Sequence, residues 1–217
     1  MKILALEFSS PLRSVALAVN GTVVASAQER GERGANPLAL IDSVLRTGGM
    51  GRREIECLAV GLGPGSYAGI RIAIAIAQGW ELAGAVKLSG HSSAESVAAQ
   101  AAELGTAFSI GVDAQRGELF VADYTVEAGK PRLVTPFRCL PEAEWRQLAI
   151  VTPLYRADVL EAPNACMIPL PPMAATLAVL AANVPNILPG SALEPIYLRP
   201  ADFVKAPPAR FRAEEIH

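Results

Sequence analysis

Apolar residues fall into two kinds of run along this chain: short unbroken ones of strand length, and longer ones with helical spacing. Ile3-Leu4-Ala5-Leu6-Glu7-Phe8 is the first and predicts a buried strand. Ser9-Ser10-Pro11 turns it, and Ser14 to Val19 returns as a second strand. Asn20-Gly21 follows, a hairpin signal because both central positions of a type I′ turn take positive φ. Thr22 to Gln28 is therefore a third strand, antiparallel to the second. Asn36 then caps a helix with Pro37 at its first position. Leu38, Ile41, Val44 and Leu45 share one face of it at spacings of three and four, and Gly48-Gly49 ends it. Ile55 to Val60 is a fourth strand.

Residues 69–85 read as one long helix carrying just two charges, Arg71 and Glu81. Ile70, Ile74 and Ala77 make one stripe on it, and Ile72, Ile76 and Trp80 another. A helix without a polar face is covered on more than one side. The second cover is either the helix at 36–47 or another protein chain. Val86 to Leu88 is a brief strand, and Ser92-x-x-Glu95 is a capping box opening a helix to Leu104. Strand 107–113, the turn Gln115-Arg116-Gly117 and strand 118–124 then repeat the N-terminal plan. Each copy has an apolar strand with one acid at its end (Glu7, Asp113), a short turn and a returning strand. This predicts an internally duplicated α/β fold with units at 1–105 and 106–217. Further on, 132–139 reads as a strand, 141–148 as a helix, 149–152 as a strand and 173–182 as a last helix. The five prolines in 153–172 leave little periodicity there. The tail after Pro200, with Pro207-Pro208 and alternating charges, is expected to be poorly ordered when unbound.

Between the fourth strand and the long helix lies Gly61-Leu62-Gly63-Pro64-Gly65-Ser66-Tyr67-Ala68-Gly69. Such a turn could cradle a phosphate at a helix N-terminus, or let the helix pack hard against a sheet. No lysine lies between Lys2 and Lys87, so this is not a P-loop. Ser66 has Pro64 and Ala68 where a nucleophile elbow needs glycines. Pro64 also removes an amide that an anion nest would use. Arg71 either reaches an anion or a carboxylate, or pairs with an acid such as Glu81.

With 217 residues and 51% hydrophobic content, the chain can build a substantial core. A net charge of −2 argues against gripping tRNA or a membrane surface unaided. Cys57, Cys139 and Cys166 are scattered without a Cys-x-x-Cys, which predicts free thiols in a reducing cytosol. The chain passes from Met1-Lys2 directly into a strand, and the helix at 69–85 is short and interrupted by charge. A cytoplasmic protein without signal peptide or membrane span is therefore expected. The two histidines, His91 and His217, cannot form a His-x-x-x-His metal site. No metal, cofactor or catalytic residue is assigned, and His91 is expected in a loop.

Gly63-Pro64-Gly65-Ser66-Tyr67-Ala68-Gly69-Ile70-Arg71-Ile72 resembles the Gly-Pro-Gly-Ser-Phe-Thr-Gly-hydrophobic-Arg-Ile-Gly signature of the bacterial TsaB (YeaZ) family. Pro195-Ile196-Tyr197-Leu198-Arg199 is similar to its Pro-x-Tyr-Leu-Arg ending. The resemblance implies an actin-like, ribonuclease H-like duplicated fold of two βββαβα-type lobes, each with a mixed sheet flanked by helices. It also implies a non-catalytic scaffold that binds the threonylcarbamoyltransferase TsaD for N6-threonylcarbamoylation of adenosine 37 in tRNAs reading ANN codons. A TsaE-like ATPase would join the larger complex, and tRNA would be met only through it. Binding would use the helices at 36–47 and 69–84, with Leu38, Ile41, Leu45, Ile70, Ile72, Ala73, Ile76 and Trp80 at the interface. A homodimer through the same face is the expectation when TsaD is absent. Glu7, Ser9, Ser10 and Asp113 would mark a degenerate nucleotide cleft, since the first hairpin turn lacks glycine. Gly63, Pro64, Gly65, Ser66, Gly69 and Arg71 form the structural turn. The alternative is a small actin-like ATPase, or a hydrolase using Ser66 or His91. The signature's Phe-Thr is Tyr67-Ala68 here, and its last glycine is Ala73.

Overall fold

The computed structural model describes residues 1–31, 35–84, 86–162 and 164–199. The first half runs β1 (Lys2–Glu7), β2 (Leu12–Val19), β3 (Thr22–Arg30), α1 (Pro37–Thr47), β4 (Cys57–Gly61), α2 (Tyr67–Ala83), β5 (Lys87–His91) and α3 (Ser93–Ala101). The second runs β6 (Ala107–Gln115), β7 (Glu118–Glu127), β8 (Lys130–Leu140), α4 (Glu142–Val151), β9 (Leu154–Arg156), β10 (Ile168–Pro169), α5 (Ala174–Asn183) and β11 (Ile187–Leu188).

These strands form two mixed sheets, ordered β11-β5-β4-β1-β2-β3 and β10-β9-β6-β7-β8. Both use one plan. Three strands meander antiparallel (β1-β2-β3, β6-β7-β8), the chain crosses through a helix, and a parallel strand joins the first strand of the meander (β4 on β1, β9 on β6). A second parallel strand follows on each side, β5 beside β4 and β10 beside β9. The expected α/β duplication is thus present in the topology. Asn20 and Gly21 have φ of 50° and 82°, as the hairpin signal required.

β1 reads as an unbroken apolar run because helices cover both of its faces. Leu4 and Leu6 join Val15, Leu17, Leu58 and Val60 in a core under α1 and α2. Ile3 and Ala5, with Ala16, Ala18 and Ala59, meet Ala174, Leu177, Ala178 and Ala181 of α5 on the other face. Alanines on both partners let that helix lie close to the sheet. Residues 174–193, read from sequence with the second unit, therefore pack on the first sheet, and β11 pairs with β5 at its edge. Conversely, Val97, Ala98 and Ala101 of α3 pack with Phe108, Ile110 and Tyr155 of the second sheet. α3 and α5 touch where they cross, and Ser96 Oγ donates to the Met173 carbonyl at 3.1 Å.

The expected strand at 149–152 is instead the end of α4, and β9 begins two residues later at Leu154. Trp145 anchors that helix, buried among Leu119, Val121 and Leu154 with its indole N–H on the Gly117 carbonyl at 3.1 Å. Leu148 and Ala149 pack beside it, so helical packing took a segment whose composition also suits a strand. Residues beyond Arg199, including the predicted tail, lie outside the described residues.

Candidate functional site

The glycine turn is a packing device. A Cβ on Gly65 would stand 2.0 Å from the Ser9 carbonyl oxygen, and one on Gly69 would stand 1.9 Å from that of Phe8. Gly65 also takes φ of 152° and Gly63 of 93°. The head of α2 is thereby pressed onto the β1–β2 turn. Two of the turn's amides are engaged inside the protein: Gly63 N–H donates to Ser93 Oγ at 3.0 Å and Ser66 N–H to the Ser9 carbonyl at 2.6 Å. Ser66 Oγ accepts from Gly69 N–H at 3.3 Å, the ordinary work of a helix cap. The phosphate-cradling alternative loses the Gly63, Ser66 and Gly69 amides as donors.

Glu7 ends β1 fully buried. Its Oε1 accepts from Ser9 N–H at 3.0 Å, while Oε2 and the Ser9 hydroxyl have no hydrogen-bond partner among the described residues. Gly61 makes room for it, since a Cβ there would stand 2.0 Å from Oε2. Burial pushes the Glu7 carboxyl above its ordinary value of 4.5, with the hydrogen bond from the Ser9 amide pulling the other way. Ser10 spends its hydroxyl in its own turn, donating to the Leu12 carbonyl at 2.9 Å. Asp113, the counterpart of Glu7 at the end of β6, is exposed and accepts from Gln115 N–H and Nε2, both at 2.9 Å. Its own N–H donates to Asp158, which also holds Arg156 through two bonds of 2.8 and 2.9 Å. One acid is sealed and the other is tied into its hairpin. These residues do not fit a magnesium–triphosphate group.

The raised pKa has a testable consequence. A carboxyl whose folded pKa lies above the unfolded one binds more protons when folded, so it costs stability as pH climbs from 4.5 through the folded value. Glu7→Gln keeps the shape and removes the titration. We expect matched melting temperatures near pH 4.5 and a growing advantage for Gln at higher pH, about 2–4 °C per kcal/mol in a chain of this size. Parallel melting curves across that range would contradict the burial argument.

The outer side of α2 carries a different feature. Between α1 and α2 runs a groove of about 730 Å³, walled by Leu38 and Ile41 on one side and Ile76 and Trp80 on the other. Ala75 and Gly79, small and exposed, also line it, as do Arg52 and Arg53. Ile72, Ile76 and Trp80 are half-buried against the core, so α2 is not enclosed within its own subunit. Ile41, Leu45, Ile70 and Ala73, however, are buried in that core. Leu45, Ile70 and Ala73, among the side chains expected at the interface, are therefore committed internally, while Ile41 serves both the core and the groove wall, because each helix needs its inner stripe for its own sheet.

Arg71 does not pair with Glu81. Its guanidinium bonds the Tyr67 hydroxyl and lies over that ring at 5.0 Å, while Glu81 accepts from Gly190 N–H at 3.1 Å. His91 is the last residue of β5 rather than part of a loop. It is buried, hydrogen-bonded through Nε2 to Ser89 Oγ at 2.8 Å, and desolvation lowers its pKa. Sequence reasoning missed the pairing of Glu7 with Gly61 and the bidentate Arg156–Asp158 contact. It also missed the stacking of Tyr67 on Tyr197, with centroids 5.7 Å apart. Each joins residues far apart in sequence or lacks a periodic signal; an Arg-x-Asp pair after a strand was the one available clue.

Residues 34–136 match the family model described as TsaD: tRNA N6-adenosine threonylcarbamoyltransferase. The chain is 35% identical over 127 residues to the Escherichia coli (strain K12) tRNA threonylcarbamoyladenosine biosynthesis protein TsaB, covering 57% of this chain and 55% of that protein. It is 28% identical to the Bacillus subtilis (strain 168) protein of the same name, covering 68% and 66%. The matches thus span between about half and two thirds of these curated relatives. A Pseudomonas aeruginosa structure, described as an uncharacterized protein with similarity to peptidase YEAZ, superposes with a TM-score of 0.74 at 25% identity. That likeness covers 91% of this chain and 99% of the other. Glycine turn, duplicated sheets and relatives agree: the chain resembles the TsaB (YeaZ) proteins in sequence and shares the two-sheet α/β fold of the Pseudomonas aeruginosa structure.

Proposed function

We propose that this chain is a non-catalytic subunit of tRNA threonylcarbamoyladenosine biosynthesis, working in the cytosol as a scaffold and activator for a TsaD-like threonylcarbamoyltransferase. The observation that carries the proposal is the groove between α1 and α2, lined by Leu38, Ile41, Ile76 and Trp80 together with the small residues Ala75 and Gly79. Small residues there let a partner helix approach closely, and apolar walls give it area to bury. The other end of the molecule supports the same reading, because Glu7 is sealed and Asp113 is held by Gln115. A TsaE-like ATPase and tRNA would be engaged through the complex, in keeping with a net charge of −2. Without TsaD, the same groove would serve a homodimer.

Reconstitution tests this directly. With a TsaD-like partner, the remaining factors and tRNA supplied, modification of adenosine 37 should depend on adding this chain, and the two proteins should co-purify. Equal modification without it defeats the proposal. Micromolar binding of Mg-ATP to the isolated chain in a calorimeter would favour a nucleotide enzyme instead.

A further inference from the structure

The two sheets are joined in two physically different ways. One joint is the α3–α5 crossing, where Ala101 and Ala178 are buried and Gln100 Nε2 reaches the Pro171 carbonyl at 3.2 Å. The other is the segment from Gly190 to Arg199. Gly190 is gripped by α2 on both of its polar groups: its N–H donates to Glu81 and its carbonyl accepts from Gln78 Nε2 at 2.8 Å. Leu193 is buried in the first core, and Ile196 N–H donates to the Leu62 carbonyl at 2.8 Å. Up to that point the segment belongs to the first sheet. Tyr197 then stacks on Tyr67 at the head of α2, and Arg199 reaches across to the second sheet. There it bonds Glu118 Oε2 at 3.2 Å and lies 5.9 Å over the Phe120 ring.

We propose that Tyr197 and Arg199 form a releasable clasp between the two sheets, closing the β6–β7 hairpin onto the head of α2 and opening without loss of either core. The burial pattern is the reason. Arg199 and Glu118 keep 50% and 39% of their side-chain surface in water, and Tyr67 and Tyr197 are both exposed. An ion pair so exposed is weak and screened by salt, and a stacked aromatic pair adds a modest amount. The α3–α5 joint, by contrast, is held by buried residues, Ser96, Ala101 and Ala178 among them, and stays shut when the clasp opens. The clasp is reversible on both sides, since Glu118 and Arg199 belong to no core.

Hydrogen exchange on the full chain tests this, with charge reversal as the discriminating device. Arg199→Glu, and separately Glu118→Arg, should speed exchange in residues 115–120 and in the first turn of α2 by about five- to fiftyfold. Exchange in β1 and β4 should not change. The double variant, which restores opposite charges, should recover most of the protection, and high salt should mimic the single variants. Tyr197→Ala should loosen the α2 side. Unchanged exchange at both places in the single variants would overturn the proposal. So would faster exchange throughout β1 and β4, which would make the segment a structural part of the core. Recovery failing in the double variant would likewise show that the ion pair is not the fastening.

Discussion

Gly69→Ala will cost this protein about 3 kcal/mol or more, lowering its melting temperature by roughly 10 °C. The helix itself gains from the change, since alanine favours helix over glycine by up to about 1 kcal/mol. The loss comes from outside the helix. The new methyl would stand 1.9 Å from the Phe8 carbonyl oxygen, so backbone must move, and the backbone in question ends the central strand of the first sheet. Gly65→Ala should be at least as damaging, because it adds a left-handed φ of 152° to a 2.0 Å approach. Gly79→Ala in the same helix is the matched control, as a Cβ there meets nothing within 4 Å. It should hold or slightly raise the melting temperature. Thermal unfolding of the three variants side by side decides the matter, and an unchanged Gly69→Ala would remove the packing account of the turn.

The second large effect concerns binding. Ile76→Asp places a charge on the groove wall and should weaken association with a TsaD-like partner about 100-fold, the scale of losing a buried apolar anchor. Ile76 is half-buried, so some loss of stability comes with it. Leu38→Asp separates the two effects, because Leu38 lines the same groove while 55% exposed. It should leave the unfolding free energy within about 0.5 kcal/mol of the parent and still reduce affinity at least tenfold. Calorimetric titration of the partner into each variant is the measurement. Full affinity in both would move the docking surface elsewhere on the molecule.

Much of this architecture is legible in the amino-acid order wherever a local rule has a single outcome. Asn20-Gly21 admits one turn, Asn36-Pro37 one helix start, and the run from Ile3 to Leu6 one buried strand. The repeat of strand, acid, turn and strand predicts the duplication seen in the two sheets. The site is less legible. Periodicity identifies two apolar stripes on α2 but cannot divide them between core and surface, and the interface that the family resemblance implies takes Ile70 and Ala73 together with Ile72 and Ile76. Only the three-dimensional packing shows which stripe the sheet consumes. His91 reads as a loop residue because Gly90 precedes it and a cap follows, whereas pairing with Gly61 of β4 extends the strand through it. The destination of α5 is likewise invisible locally. Its alanines state that it packs tightly without stating on what.

That destination bears on how the chain emerges from the ribosome. The face of the first sheet that α5 covers stays open to solvent until every residue of the second sheet has been synthesised. During that wait it presents mostly single methyl groups, from Ala5, Ala16, Ala18 and Ala59, with Ile3 and Cys57. Such a surface offers little area to a neighbouring nascent chain, whereas the leucine-rich opposite face can be shielded at once by α1 and α2, which are made early. The placing of small residues under the late helix and large ones under the early pair thus limits self-association during translation.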